Sequence, residues 1–125
     1  MKYNILLFFV LMHTFCFGKH QSILDLATKF FNNGQYDSAH YYLDQIFESD
    51  PNNTSAIKLR ADTYSYQGDN LKAIDNYQRF IYLEKNKISP DYNLLSFVQN
   101  SLSWTYYAMG LYSKSIEIYR MALKT

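Results

Sequence analysis

The side chains that could do chemistry in this chain are few and scattered. The histidines are His13, His20 and His40, and Cys16 is the lone cysteine. A hydrolytic zinc site on a helix needs two His one turn apart with a Glu between them, and no such triplet occurs. A P-loop and a dinucleotide-binding glycine cluster are missing as well. His40 lies beside Tyr41 on a predicted helix and reads as a surface or seam residue. Asp44, four residues on, stands where it could pair with His40, worth about 0.2–0.5 kcal/mol. His20 falls in the fraying start of the mature chain. Asn52-Asn-Thr54 and Asn53-Thr-Ser55 match glycosylation acceptors, a chance-level match unless the host is eukaryotic. No catalytic constellation, metal ligand set or cofactor site emerges, so the expectation is a protein that is not an enzyme.

Composition narrows the class further. The chain has 125 residues, enough for one domain, and 48% of them are hydrophobic with Pro only 2, which excludes a disordered chain. Aromatic residues make up 18%, with Tyr 13 and Phe 9. Tyrosine combines packing area with a polar tip, so it suits helix seams and binding surfaces. Net charge is +1. A near-neutral domain lacks the basic footprint needed for nucleic acid. Residues 20–53 carry Asp25, Asp37, Asp44, Glu48 and Asp50 against Lys29, whereas residues 54–87 lean basic. Ordinary solvated faces or a polarised docking surface would both produce this bias.

The first 18 residues read as a secretory signal peptide. Lys2 supplies a positive start, Ile5 to Met12 is an unbroken apolar run, and His13 to Gly18 leads into the polar Lys19-His-Gln-Ser22. Cleavage after Gly18 would place Cys16 and Gly18 in the two recognition positions. The apolar stretch Ile5–Phe17 falls short of the roughly 20 residues that span a bilayer, so a retained anchor is the weaker alternative. Phe15 before Cys16 argues against lipidation. The mature chain, 19–125, would hold no cysteine, and its stability could not rest on disulfides. Its localisation is expected to be exported, periplasmic or secreted, with no membrane contact by the mature domain.

The elements follow from a phrase that recurs. Gly34-Gln-Tyr-Asp-Ser-Ala39 is echoed by Gly68-Asp-Asn-Leu-Lys-Ala73 and again by Gly110-Leu-Tyr-Ser-Lys-Ser115. The first two lie 34 residues apart and the last two 42. A period in this range marks a stacked array of small units. Apolar residues at helical spacing predict helices over 22–32, 37–49, 55–67, 70–84, 92–109 and 112–124. Glycine breaks each pair, and Asp50-Pro51-Asn52-Asn53 separates the first two pairs. Thr54 is the expected cap of the third helix and Pro90 the expected start of the fifth. Small residues recur at matched places: Ala27, Ala61 and Ser103 on first helices, Ala39, Ala73 and Ser115 on second helices. They permit close approach of antiparallel helices. Phe30, Tyr64 and Tyr106, also matched, fill the space between units.

This pattern resembles the tetratricopeptide repeat over residues 20–125. The residues that carry it are Gly34, Tyr36 and Ala39, the Asp50–Asn53 terminator, and the echoes at Gly68/Ala73 and Gly110/Tyr112/Ser115. Asn70, Lys85-Asn86 and Gln99 depart from the usual pattern, and Ile88 to Leu95 is an insertion that lengthens the period to 42. The resemblance implies an all-α fold of about three antiparallel helix-pair repeats (about 20–53, 54–87 and 92–125) in a right-handed superhelix. It also implies a concave groove lined by first helices that holds a protein or peptide. Carried over by position, that face includes Gln21, Leu24, Thr28, Phe31, Ser55, Lys58, Asp62, Tyr66, Phe97, Asn100, Trp104 and Tyr107. Of these, Leu24, Thr28, Phe31, Lys58, Asp62, Tyr66, Asn100, Trp104 and Tyr107 form the candidate partner-binding set. Trp104 could equally pack against an adjacent helix. Family co-chaperones grip a C-terminal carboxylate with basic side chains, but the corresponding positions here hold Leu24, Thr28, Leu59, Phe97 and Ser101. None is basic, which argues against that clamp.

The last helix carries Ile116, Tyr119, Met121 and Leu123 with no successor to cover them. A longer protein, a homodimer through that face, or a binding site on it would each account for this. The resemblance therefore extends in two directions. One is an exported protein–protein interaction module. The other is the N-terminal sensory part of a membrane-bound tetratricopeptide histidine kinase or transcriptional regulator.

Overall fold

The computed structural model describes the backbone of residues 2–125, and the side chains of all but 2–4, 6, 8 and 13–17. Six helices follow one another among the described residues: α1 Lys2–Asn32, α2 Tyr36–Ser49, α3 Thr54–Tyr66, α4 Asn70–Lys85, α5 Tyr92–Ala108 and α6 Tyr112–Ala122. They pair in sequence as α1/α2, α3/α4 and α5/α6, with α4 also packed on α5. The three pairs are the three repeats that the glycine phrase marks out. The first helix starts well before Ser22, so residues 2–21 and the first repeat helix are one continuous helix. Cys16 and His13, named above for the cleavage site and the leader, have side chains outside the described residues.

Each glycine phrase is a helix C-cap of the same design. Gly34, Gly68 and Gly110 have φ of 73°, 79° and 76°, the left-handed region that an L side chain enters at a cost. The glycine N–H bonds back to Phe31, Ser65 and Tyr107 in turn, and the next residue's N–H bonds to Phe30, Tyr64 and Tyr106. This double bond pattern satisfies carbonyls that the helix end would leave orphaned. The large residues Phe30, Tyr64 and Tyr106 therefore recur at one fixed place in the cap.

The helix starts differ from two expectations. Asn53, not Thr54, caps α3, its side chain accepting from the Ala56 N–H at 3.0 Å. Thr54 is the first helical residue. Asp91, not Pro90, caps α5 by accepting from the Leu94 N–H at 3.0 Å. A carboxylate is the better acceptor for a free N–H, and a proline side chain offers none. The insertion before α5 is organised by Glu84, which is 1% exposed. Its carboxylate accepts from the Asp91 N–H at 2.9 Å and pairs with Lys87.

The core runs through two joined clusters. Ala27, Leu43, Ile46 and Ala56 form one, between the first and second repeats. Ile57, Ala61, Ala73, Tyr77, Phe80, Val98, Leu102, Tyr106 and Ile118 form the other. Phe47 packs against both. Burying each large apolar side chain contributes about 1.5–3 kcal/mol. The small residues expected at the pair interfaces, Ala27, Ala39, Ala61, Ala73, Ser103 and Ser115, are all buried. Gln99, the departure on α5, is buried too, and the Thr125 hydroxyl donates to its Oε1 at 3.0 Å.

His40 lies at the seam between the first two repeats, as read, whereas its pairing with Asp44 and the fraying start at His20 are both corrected. His40 bonds through Nε2 to Gln67 Oε1 at 2.9 Å and lies 4.3 Å from the Tyr64 ring. Asp44 pairs instead with Arg60, whose guanidinium reaches it from the next repeat. His20 is no fraying end: its Nε2 lies 2.8 Å from Ser49 Oγ, tying α1 to the end of α2.

Candidate functional site

The first helices α1, α3 and α5 share one side of the array. α1 touches α3 directly, whereas α3 and α5 are joined chiefly through α4. A groove of about 760 Å³ opens there, lined by Phe31, Asp62, Ser65, Tyr66, Tyr77, Phe97, Asn100, Ser101 and Trp104. Five members of the candidate binding set thus meet on one surface: Phe31, Asp62, Tyr66, Asn100 and Trp104.

The groove is aromatic at both ends. At one end Phe31 and Tyr66 meet edge to face with centroids 5.3 Å apart, and Tyr36 leans on both at 6.0 and 6.5 Å. At the other, Trp104 stacks on Tyr107 at 5.4 Å and 23°, and Tyr107 contacts Tyr112 at 5.3 Å. Such ring pairs add about 0.5–1.5 kcal/mol beyond their area burial. They hold the rings in place without hiding them. Tyr66 is 71% exposed, Phe97 57% and Trp104 67%. Trp104 is therefore a surface side chain and not a core one.

Between the aromatic ends lies a polar network. Lys58 Nζ is 2.6 Å from Asp62 Oδ2, and the Tyr77 hydroxyl donates to Asp62 Oδ1 at 2.7 Å. Lys58 Nζ also sits 5.1 Å over the Phe97 ring, a cation–π contact. Burial, with the Asp62 charge second, pushes the Tyr77 hydroxyl far above its usual pKa, so it remains a neutral donor.

The remaining candidates lie outside the groove lining. Leu24 packs against the core between the first two repeats. The Thr28 hydroxyl donates to the Leu24 carbonyl at 2.8 Å, a local bond within its own helix. Tyr107 stands behind Trp104 as its stacking partner. Gln21 donates to Asp25 at 2.8 Å. The sequence reading missed Ser65 and the polar end of Tyr77, and named Ser101 only among the clamp positions. Tyr77 is a core residue, 3% exposed. A buried tyrosine needs a partner for its hydroxyl, which is the signal that pointed to Asp62 or a neighbour.

No group of His, Cys, Asp and Glu among the described residues could hold a metal ion. No helix among them is long and apolar enough to cross a membrane.

Stacked antiparallel helix pairs with a side-chain-lined groove along their first helices define an all-helical repeat protein of the kind that serves protein–protein contact. The tetratricopeptide repeat family model matches residues 53–125, and the chain belongs to that family. No curated protein matches it. Among solved structures it is similar to the N-terminal domain of stress-induced protein-1 from C. elegans. That likeness has a TM-score of 0.79 at 15% identity, over 87% of this chain and 85% of the other. At this identity the likeness speaks for the fold alone.

Proposed function

We propose that this chain is an exported interaction module that holds a peptide or an extended partner segment in its concave groove and performs no chemistry itself. The observation that carries the reading is the exposure of Tyr66, Phe97 and Trp104 along one open groove. Exposed aromatic side chains in a contiguous patch are costly to leave in water and are the commonest binding hot spots. The export part of the reading rests on the leader-like first 18 residues, with cleavage near Gly18. Ile5, Leu7, Phe9, Val10 and Met12, each more than half exposed, suit a segment that is removed.

The test is a peptide library selected on the purified chain 19–125, followed by affinity measurement on Trp104→Ala. Selected peptides that bind both forms equally would end the groove reading. Intact mass of the native product tests export: a species beginning at Lys19 supports it, and one retaining Met1 does not.

A second contact surface is favoured by α6, where Ile116, Tyr119 and Leu123 are exposed at the i, i+3, i+7 spacing of one face, Met121 turning instead toward Ile81 and Leu102. This face suits a second copy of the chain, or further repeats as in the sensory front of a membrane-bound tetratricopeptide kinase or regulator.

A further inference from the structure

The two junctions between repeats use equivalent positions, and they close differently. At each, a first helix packs against two second helices: α3 against α2 and α4, then α5 against α4 and α6. Long side chains bridge the first junction. The Arg60 guanidinium sits 4.4 Å from the Phe47 ring centroid and pairs with Asp44. Arg79 reaches back from α4 to the Pro51 carbonyl at 2.6 Å. With offsets of 34 and 42 residues, the equivalents at the second junction are Leu102 for Arg60, Ile81 for Phe47, Gln78 for Asp44 and Met121 for Arg79. Both arginines and the phenylalanine give way to smaller apolar side chains, and the ion pair goes with them. A crevice of about 300 Å³ stands open there, walled by Ile81, Tyr82, Leu102, Ile118 and Met121. It shares no lining residue with the aromatic groove.

Two polar groups set this crevice apart from a plain packing gap. Gln99 lines it and is only 2% exposed. Its Oε1 accepts from Thr125, while its amide nitrogen bonds to no described residue. A buried donor left unmatched is costly, and an acceptor on a ligand would relieve it. Lys85, the one charged side chain of the lining, is exposed and pairs with no described acid. We infer that the crevice binds an aliphatic monocarboxylate, its hydrocarbon tail in the slot and its carboxylate toward Lys85. Tail burial takes apolar surface of both partners out of water. A carboxylate supplies the acceptors that Lys85 and the Gln99 amide lack, whereas a cationic head would be repelled. The volume lies at the small end of ligand pockets, which suits one short chain.

The Met121 methyl reports on the crevice, and Met109, at the C-cap of α5, serves as reference. The experiment titrates octanoate into the purified full chain, isotope-labelled at its methionine methyls, and follows both signals by nuclear magnetic resonance. The expected result is a saturable shift at Met121 with Met109 unmoved. Octanol, the same chain without the charge, and octylammonium, with the opposite one, should bind about five-fold more weakly or not at all. Lys85→Gln should bring octanoate down to the level of octanol. Ile81→Phe, which restores the bulk found at the first junction, should weaken octanoate by about ten-fold or more. Lys85 is exposed, so Lys85→Gln decides the matter by itself if Ile81→Phe fails to fold. Octanol binding as tightly as octanoate, with Lys85→Gln without effect, would overturn the carboxylate ligand. Equal shifts at Met121 and Met109, or no shift below the micelle-forming concentration of octanoate, would overturn the site itself. Neither result bears on the aromatic groove.

Discussion

The hydroxyl of Tyr77 donates to Asp62 across 2.7 Å and so ties the second helix of the middle repeat to the first, at the floor of the groove. Asp62 holds Lys58 with its other oxygen. One buried phenol thus links core packing to the Lys58–Asp62 pair in the groove.

Tyr77→Phe removes that donor and leaves one Asp62 oxygen under-satisfied. The expected cost is about 1–2 kcal/mol in chemical denaturation. The pH dependence has a definite sign. The folded-state pKa of Tyr77 is raised above its ordinary 10.0, so the contribution is fully present below pH 10.0 and is lost as pH rises beyond it. Stability of the wild-type chain should fall more steeply above that pH than stability of Tyr77→Phe. Parallel alkaline profiles would show that Tyr77 is not the titrating group.

Ser103 and Ser115 take the places that alanine occupies in the first two repeats. The Ser103 hydroxyl donates to the Ser115 carbonyl at 2.8 Å, with the two hydroxyl oxygens 3.0 Å apart. Ser103→Ala alone should cost about 1 kcal/mol, because the Ser115 hydroxyl stays buried and loses its neighbour. The double change to Ala recreates the apolar pair of the other repeats and should lie within about 0.5 kcal/mol of wild type. Additive losses in a double-mutant cycle would contradict this coupling.

Gly68→Ala tests the cap geometry by itself. A Cβ at this position would meet nothing within 4 Å, so the whole cost is conformational. The expected destabilisation is about 1–2 kcal/mol, with Gly68→Asn losing less because Asn tolerates the left-handed region better. Equal melts for wild type and Gly68→Ala would mean that the cap contributes little.

Trp104→Ala separates binding from folding. An exposed side chain away from the core should shift stability by no more than about 0.5 kcal/mol. Partner affinity should fall by about 1–3 kcal/mol. A large loss of stability with unchanged affinity would reverse the assignment of this residue.

Glu84 offers a check on the insertion between the second and third repeats. Its buried carboxylate joins Lys87 and the Asp91 N–H, next to the cap of α5. Glu84→Ala should cost about 2–4 kcal/mol, since it leaves a cavity and the Asp91 N–H without its acceptor. Glu84→Gln, which keeps an acceptor oxygen, should lose less. Hydrogen exchange at Asp91 is the local readout.

The three glycine turns, the buried small residues Ala27, Ala39, Ala61, Ala73, Ser103 and Ser115, and the pairing of helices were all legible in the sequence. Each depends on interactions within a few residues or on a repeat that brings equivalent positions to equivalent surroundings. The same local logic erred where two neighbouring residues competed for one role, as Asn53 did with Thr54 and Asp91 with Pro90. What the sequence could not rank was contact between repeats. Asp44 lies four residues from His40, yet Arg60 in the next repeat takes it. Trp104 could have faced either the core or solvent, and only the packing of α5 against α4 and α6 turned it outward beside Tyr107. The convergence of Phe31, Asp62, Tyr66, Asn100 and Trp104 on one groove has the same origin. It depends on how far each pair rotates and shifts against the last, which many weak side-chain contacts decide together and no single motif encodes.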